Sequence, residues 1–238
     1  MIRYRETTEM IPFGRDVKKL KADFVVGECP SWLVLPDTST YSNNGVDTPA
    51  SSVIKTADVS VSEMDVIGLQ LNNLRLSGNE STTPYPSISI RLVHTDGNGN
   101  ETESIGVYGE NLGNSLRYKV GDTVVYEDTK VGKYVQDFTK SVLVSPTAQY
   151  PGNPWWNYAN RPKNIGVLIM PIMGCIHVLF DNRPVYSKMD LDEITYTVDG
   201  VSHTGVDFSG GVDEWHFEVT SNKDIHASSI DFEIHQSY

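Results

Sequence analysis

The chain has 238 residues, with 19 Lys and Arg against 31 Asp and Glu, a formal charge of −12, and 39% hydrophobic and 21% charged residues. Twelve Tyr, seven Phe and four Trp supply enough apolar surface to offset chain entropy, which excludes disorder over most of the length. The acidic balance excludes a nucleic-acid surface, because such a surface needs Lys and Arg to displace counterions from phosphate.

Residues 1–23 carry Arg3, Arg5, Arg15, Lys18, Lys19 and Lys21 against four acids, mixed with Ile2, Tyr4, Met10, Ile11 and Phe13 in no clean strand or helix period. They are expected to form an N-terminal arm, residues 1–21, ahead of a single β-sandwich domain over residues 22–238. The last 58 residues, from Asp181, hold twelve acids against Arg183, Lys188 and Lys223. A cationic arm suits such an acidic body, for instance on another copy of the chain. The opening MIRYRETTEMIPFGRD lacks the continuous apolar segment of a secretory signal.

From Asp23 onward the hydrophobic period is two. Strands are expected at Phe24–Leu35 and Val53–Val61, then at Ile67–Leu71 with a bulge at Asn73 before Leu74 and Leu76. They continue at Ser87–His94, Thr102–Tyr108, Leu116–Glu127, Ser141–Val144, Asn164–Ile172, Gly174–Asp181, Glu193–Val198, Trp215–Thr220 and Ile230–Ile234. Asp96–Gly97 and Asn98–Gly99 mark one hairpin, and Asp181–Asn182–Arg183–Pro184 another. About a dozen short strands with turns between them predict an all-β fold, a two-sheet antiparallel jelly-roll sandwich with long surface loops. The longest irregular segments, Pro36–Ser52 and Ser145–Lys163, are where function is sought, since long loops in a compact domain are uncommon without one.

No run reaches the roughly 20 apolar residues of a membrane helix, since Ile165 to Phe180 is broken by Pro171 and Gly174. Membrane insertion is not expected. Cys29 and Cys175, the only cysteines, are too few and too distant for a zinc site or a disulfide framework, which leaves free thiols or one bridge.

The order of ADFVVGECPSWLVL, a strand near Ser87–Val93, NIGVLIMPIMGCIHVLFDNRPVYS and the closing SSIDFEIHQSY resembles the concanavalin-like jelly rolls of lectins, laminin-G modules and laminarinase-type glycoside hydrolases. The likeness covers roughly residues 22–238 and is one of pattern. The hydrolase branch implies a strand with two catalytic carboxylates, about 5–5.5 Å apart in retaining enzymes. The nearest match is Glu63–Met64–Asp65–Val66–Ile67–Gly68, where Gly68 replaces the third carboxylate and the segment precedes the strand that should carry it. Glu63 and Asp65 therefore read as a strand's solvent face, and no catalytic residue is assigned.

Other templates fail as well. The six histidines form no HxH or HxxxH pair, and Asp96, Asn98, Asn100 and Glu103 start a calcium loop that Glu101 and Val107 do not complete, so no metal or cofactor is implied. Ser77 lacks a base and an orienting acid. What remains is QYPGNPWWNYANRP, residues 149–162, where flat rings sit among amides. Tyr150, Asn153, Trp155, Asn157, Tyr158 and Arg161 are the candidate ligand-binding residues, with Trp155 outward and Trp156 anchored in the core. The same composition suits a sugar site, a protein interface or a structural cap.

These readings lead to a non-enzymatic structural or binding protein, a virion component such as a phage fibre, decoration or receptor-binding protein. Its expected partners are other virion proteins, copies of itself or a cell-surface glycan, in a virion or extracellular setting. The alternative is a carbohydrate-active enzyme, glycoside hydrolase or lyase, or a carbohydrate-binding module.

Overall fold

The computed structural model describes residues 5–11, 15–21, 29–42, 45–61, 64–77, 85–109, 113–144, 163–208 and 215–236. In chain order these form β1 (Arg5–Ile11), β2 (Arg15–Lys21), β3 (Leu33–Val34), β4 (Thr40–Ser42), β5 (Gly45–Thr48), β6 (Val53–Thr56) and β7 (Met64–Asn72). There follow β8 (Arg75–Ser77), β9 (Ile88–Thr95), β10 (Glu101–Gly109), β11 (Asn114–Val120), β12 (Thr123–Asp128), the helix α1 (Lys130–Ser141) and β13 (Leu143–Val144). The rest are β14 (Ile165–Met170), β15 (Cys175–Phe180), β16 (Arg183–Lys188), β17 (Thr195–Val198), β18 (Val201–Thr204), β19 (Trp215–Ser221), β20 (Ile225–Ala227) and β21 (Ser229–Gln236).

Two seven-stranded sheets make the sandwich predicted from the period of two. The back sheet runs β1-β2-β21-β7-β14-β15-β16 and the front sheet β12-β11-β10-β9-β19-β6-β3. A small sheet, β13-β8-β20-β5-β4, adds a third layer element, antiparallel except where β13 runs alongside β8. Alternation decides the core: Ile88, Ile90 and Leu92 of β9 with Trp215, Phe217 and Val219 of β19 meet Ile67, Leu69 and Leu71 of β7 and Ile230 and Phe232 of β21. The Phe217 and Phe232 rings meet edge to face at 6.3 Å between the sheets, and Trp32 closes on Phe232 at 5.6 Å.

Several expectations differ from what the chain does. Asn73 is a corner instead of a bulge: it takes φ 47°, its N–H donates to Asn164 Oδ1 at 2.9 Å, and the chain leaves the back sheet to start β8 in the small one. Pro36–Ser52 contains β4 and β5, and the single strand expected over Leu116–Glu127 is the hairpin β11–β12, turned at Gly121 with φ 54°. Helix α1 was hidden between strand-like runs. Val131, Val135, Phe138 and Val142 fall at helical spacing and are all buried, and Phe138 packs its ring 4.8 Å from Phe180. The hairpin at Asp181–Asn182 is as expected, with both residues at positive φ, 47° and 64°. Cys29, half-buried, and Cys175, buried, are free thiols.

Within the segment expected as an arm, β1 and β2 form a hairpin on the edge of the back sheet. The register sets Lys19 opposite Glu233 and Lys21 opposite Asp231. β2 thus pairs an edge of β21 that would otherwise be open. No helix among the described residues is long and apolar enough to cross a membrane.

Because Phe232 is 1% exposed and touches rings from both directions, Phe232→Ala is expected to cost about 3–5 kcal/mol, read as a lowered midpoint in urea unfolding at unchanged slope.

Candidate functional site

The outer face of the front sheet is polar and charged, and one row of it is in register across all seven strands. Glu127 of β12 pairs with Arg117 of β11, which faces Gly106 of β10; Gly106 faces Arg91 of β9. Arg91 then pairs with Glu218 of β19, Glu218 with Lys55 of β6, and Lys55 with Val34 of β3. Neighbouring strands lie about 4.8 Å apart, so charges of opposite sign come within reach of one another down the row. Arg117 Nε donates to Glu127 Oε1 at 2.8 Å, Arg91 Nη2 to Glu218 Oε2 at 2.5 Å, and Lys55 Nζ to Glu218 Oε1 at 2.7 Å.

The middle of the row is a glycine for a steric reason. A Cβ on Gly106 would lie 2.3 Å from the Ile90 carbonyl oxygen. The space it leaves is crossed by Tyr108, whose hydroxyl shares a 2.5 Å hydrogen bond with Ser104 on the other side of the glycine. The guanidinium groups of Arg91 and Arg117 stand 5.2 and 5.6 Å from that ring, one on each neighbouring strand. A register shift between Glu101 and Glu103 re-aims Glu101 from the core face to the outer face, where Arg91 Nη1 reaches it at 3.2 Å and Ser104 also donates to it. At the start of β19, His216 contacts Asp58 at 2.9 Å and Glu218 at 3.3 Å.

Two glutamates on opposite faces of this sheet titrate in opposite directions. Burial disfavours the charge of Glu218, yet hydrogen bonds from His216 and Lys55 and the positive charges of Arg91 and Lys55 outweigh it and hold the carboxyl down to about 2. Glu103 points inward beside Tyr118, with no cation paired to it among the described residues. Burial pushes it up to about 7 against the hydrogen bond from Tyr118 Oη at 3.0 Å, with Asp207 adding to the rise. Tyr196 Oη lies 3.2 Å from Tyr118 Oη, and its ring stacks on His203 at 5.2 Å.

Chemically the outer face offers fixed hydrogen-bond donors and acceptors in alternation. No group of three or more His, Cys, Asp and Glu side chains among the described residues is placed to hold a metal ion. Asp96 instead closes its own hairpin tip: hydrogen bonds from Asn100 and Asn98 hold it down to about 2.

The six residues expected to bind ligand, Tyr150, Asn153, Trp155, Asn157, Tyr158 and Arg161, lie outside the described residues, as do Glu63 and the side chain of Asp65. The front-sheet row was not singled out from the sequence. Its signal was present as polar residues at every second position of β11 and β19 and as Ser89 and Arg91 of β9, but alternation alone does not say which strands become neighbours.

No family model matches the chain, and no curated protein matches it. Among solved structures it is similar to the Emp47p carbohydrate recognition domain, at 14% identity and TM-score 0.46 over 92% of this chain and 95% of that one. It is also similar to the Ca2+-bound exoplasmic/lumenal domain of VIP36, at 14% identity and TM-score 0.46 over 92% and 89%. A lectin from Bauhinia forficata in complex with GalNAc gives 11% identity and TM-score 0.47 over 93% and 100%.

The opposed glutamates set the pH dependence of stability. Glu218 contributes stability above about pH 4.5 that is lost as pH falls toward 2; the stability linked to Glu103 is full below about pH 4.5 and is lost as pH rises through about 7. After allowance for solvent screening of a half-buried group, the alkaline loss is on the order of 1–2 kcal/mol. Glu103→Gln is expected to abolish that loss between pH 5 and pH 8 in urea unfolding, leaving the acid limb in place.

Proposed function

We propose that this chain is a non-enzymatic glycan-binding domain that engages sugar on the outer face of its front sheet. The observation that carries this reading is the in-register row Glu127, Arg117, Gly106, Arg91, Glu218 and Lys55, with Tyr108 lying over its centre. Sugar hydroxyls both donate and accept, so they are matched by carboxylates and guanidinium forks fixed side by side on a rigid sheet. The side chains are already oriented: Arg91 is 15% exposed and Glu218 11%, each held by more than one partner, so little rotamer freedom remains to be lost on binding. The ligand class coincides with the one named for the Emp47p domain and the Bauhinia forficata lectin; the row, rather than the fold likeness, supports the reading. A virion or extracellular setting belongs to the same proposal as the place where such glycan would be met, and detection of the chain in purified particles would test it.

The direct test is a glycan array followed by titration of the best ligand. Arg117, at the side of the row, is the residue to change, since Arg91 holds two carboxylates at once. Arg117→Ala is expected to weaken binding about ten- to a hundredfold, roughly 1.4–2.7 kcal/mol, with the melting temperature nearly kept. Trp155→Ala is the second arm: loss in that variant alone would move the site to residues 149–162, and an array without any binder would overturn the proposal.

A further inference from the structure

The small sheet carries a groove that the front-sheet row does not involve. It has a volume of about 600 Å3, within the range of small-molecule sites. Its lining follows from register. Thr40 of β4 pairs with Asp47 of β5, Asp47 with His226 of β20, and His226 with Arg75 of β8, so four polar side chains from four strands share one face. The residues between them, Val46, Ile225 and Leu76, are buried in the core, and Leu76 and Ile225 also border the groove. Two positions along, Ser77 and Asp224 extend the same face and also line the groove.

The two carboxylates of this groove are engaged. Asp47 Oδ1 lies 2.7 Å from His226 Nδ1, and because a carboxylate only accepts, Nδ1 carries the proton and Nε2 is left for another partner. Asp224 Oδ1 accepts from the Ala50 N–H at 2.9 Å. The donors, by contrast, are open. Arg75 is exposed and has no hydrogen bond or ion pair among the described residues. Ser77 Oγ accepts from the Asp224 N–H at 3.1 Å, so its own proton is still to be given, and the hydroxyls of Thr38 and Thr40 make no hydrogen bond among the described residues.

The geometry points to a second binding site here, for a carboxylate-bearing sugar residue such as a uronic or sialic acid. The planar fork of Arg75 takes the carboxylate through two parallel N–H···O bonds, the arrangement a guanidinium makes better than an ammonium. Thr38, Thr40 and Ser77 then meet the ring hydroxyls. A neutral sugar leaves Arg75 unmatched, and a small carboxylate leaves the hydroxyls unmatched. This site stands on a different sheet from the face proposed above, so either can fail while the other holds.

The test is titration of glucuronic acid, N-acetylneuraminic acid, glucose and acetate into the full chain, followed by backbone amide shifts. Saturable shifts centred on β5, β8 and β20 are expected with at least one of the acidic sugars, at least tenfold weaker with glucose or acetate. Arg75→Ala should weaken the acidic sugar at least tenfold, with Arg75→Lys intermediate; Arg75 is exposed, so both variants should melt close to the parent. Absence of saturable shifts with both acidic sugars, equal affinity for glucose or acetate, or unchanged binding in Arg75→Ala would overturn the proposal.

Discussion

Arg91 ties the front sheet together. Its guanidinium reaches Glu218 on one neighbouring strand and Glu101 beyond the bulge on the other, and lies over the ring of Tyr108. Burial disfavours the charges of Arg91 and Glu218, and the opposite charges fixed beside them outweigh it. Removal of Arg91 would leave two carboxylates facing each other across the middle strand. The glycine at 106, the shift that turns Glu101 outward and the position of Tyr108 all make sense as conditions for this one contact.

The rest of the sandwich is built so that the front sheet can keep a polar outer face. A sheet with a polar outer face must be stabilised through its inner one, and here Phe217, Trp215, Leu92 and Ile90 supply the apolar surface against Phe232, Ile230 and Leu69 of the back sheet. Helix α1 packs on β10, β11 and β16, and the small sheet takes up Val46, Leu76, Ile225 and Ala227 in the same core. The elements of the two sheets, the small sheet and the helix thus contribute buried apolar residues to one core, while the front sheet gathers charges on a face that register brings into line.

Both candidate sites come from rows across strands, and neither comes from a motif along the chain. Arg75 and His226 are 151 positions apart, and Arg91 and Glu218 are 127 apart; only pairing places them side by side. The aromatic stretch at residues 149–162 attracted attention because its composition is concentrated in sequence, whereas a row spreads its residues one to a strand. A glycine at 106 or a register shift after Glu101 has no local signature either, since each is defined by what the next strand presents.

The alternation in β7, β9, β10, β14, β15 and β19 determined by itself that this is an all-β sandwich and which side chains of each strand go inward, because a period of two admits only one buried face. The hairpins at Asp96–Asn100 and Asp181–Asn182 were equally local, as their residue types suit the positive φ of tight turns. Tertiary structure alone decided the corner at Asn73, the strands inside Pro36–Ser52, the helix at Lys130–Ser141 and the folding back of residues 5–21 onto β21. It also decided which outward residues became neighbours. The physical reason is the same throughout: a backbone hydrogen-bond ladder carries no sequence code of its own, so the choice of partner strand is made by packing over the whole core, and the chemistry of the outer faces follows from that choice.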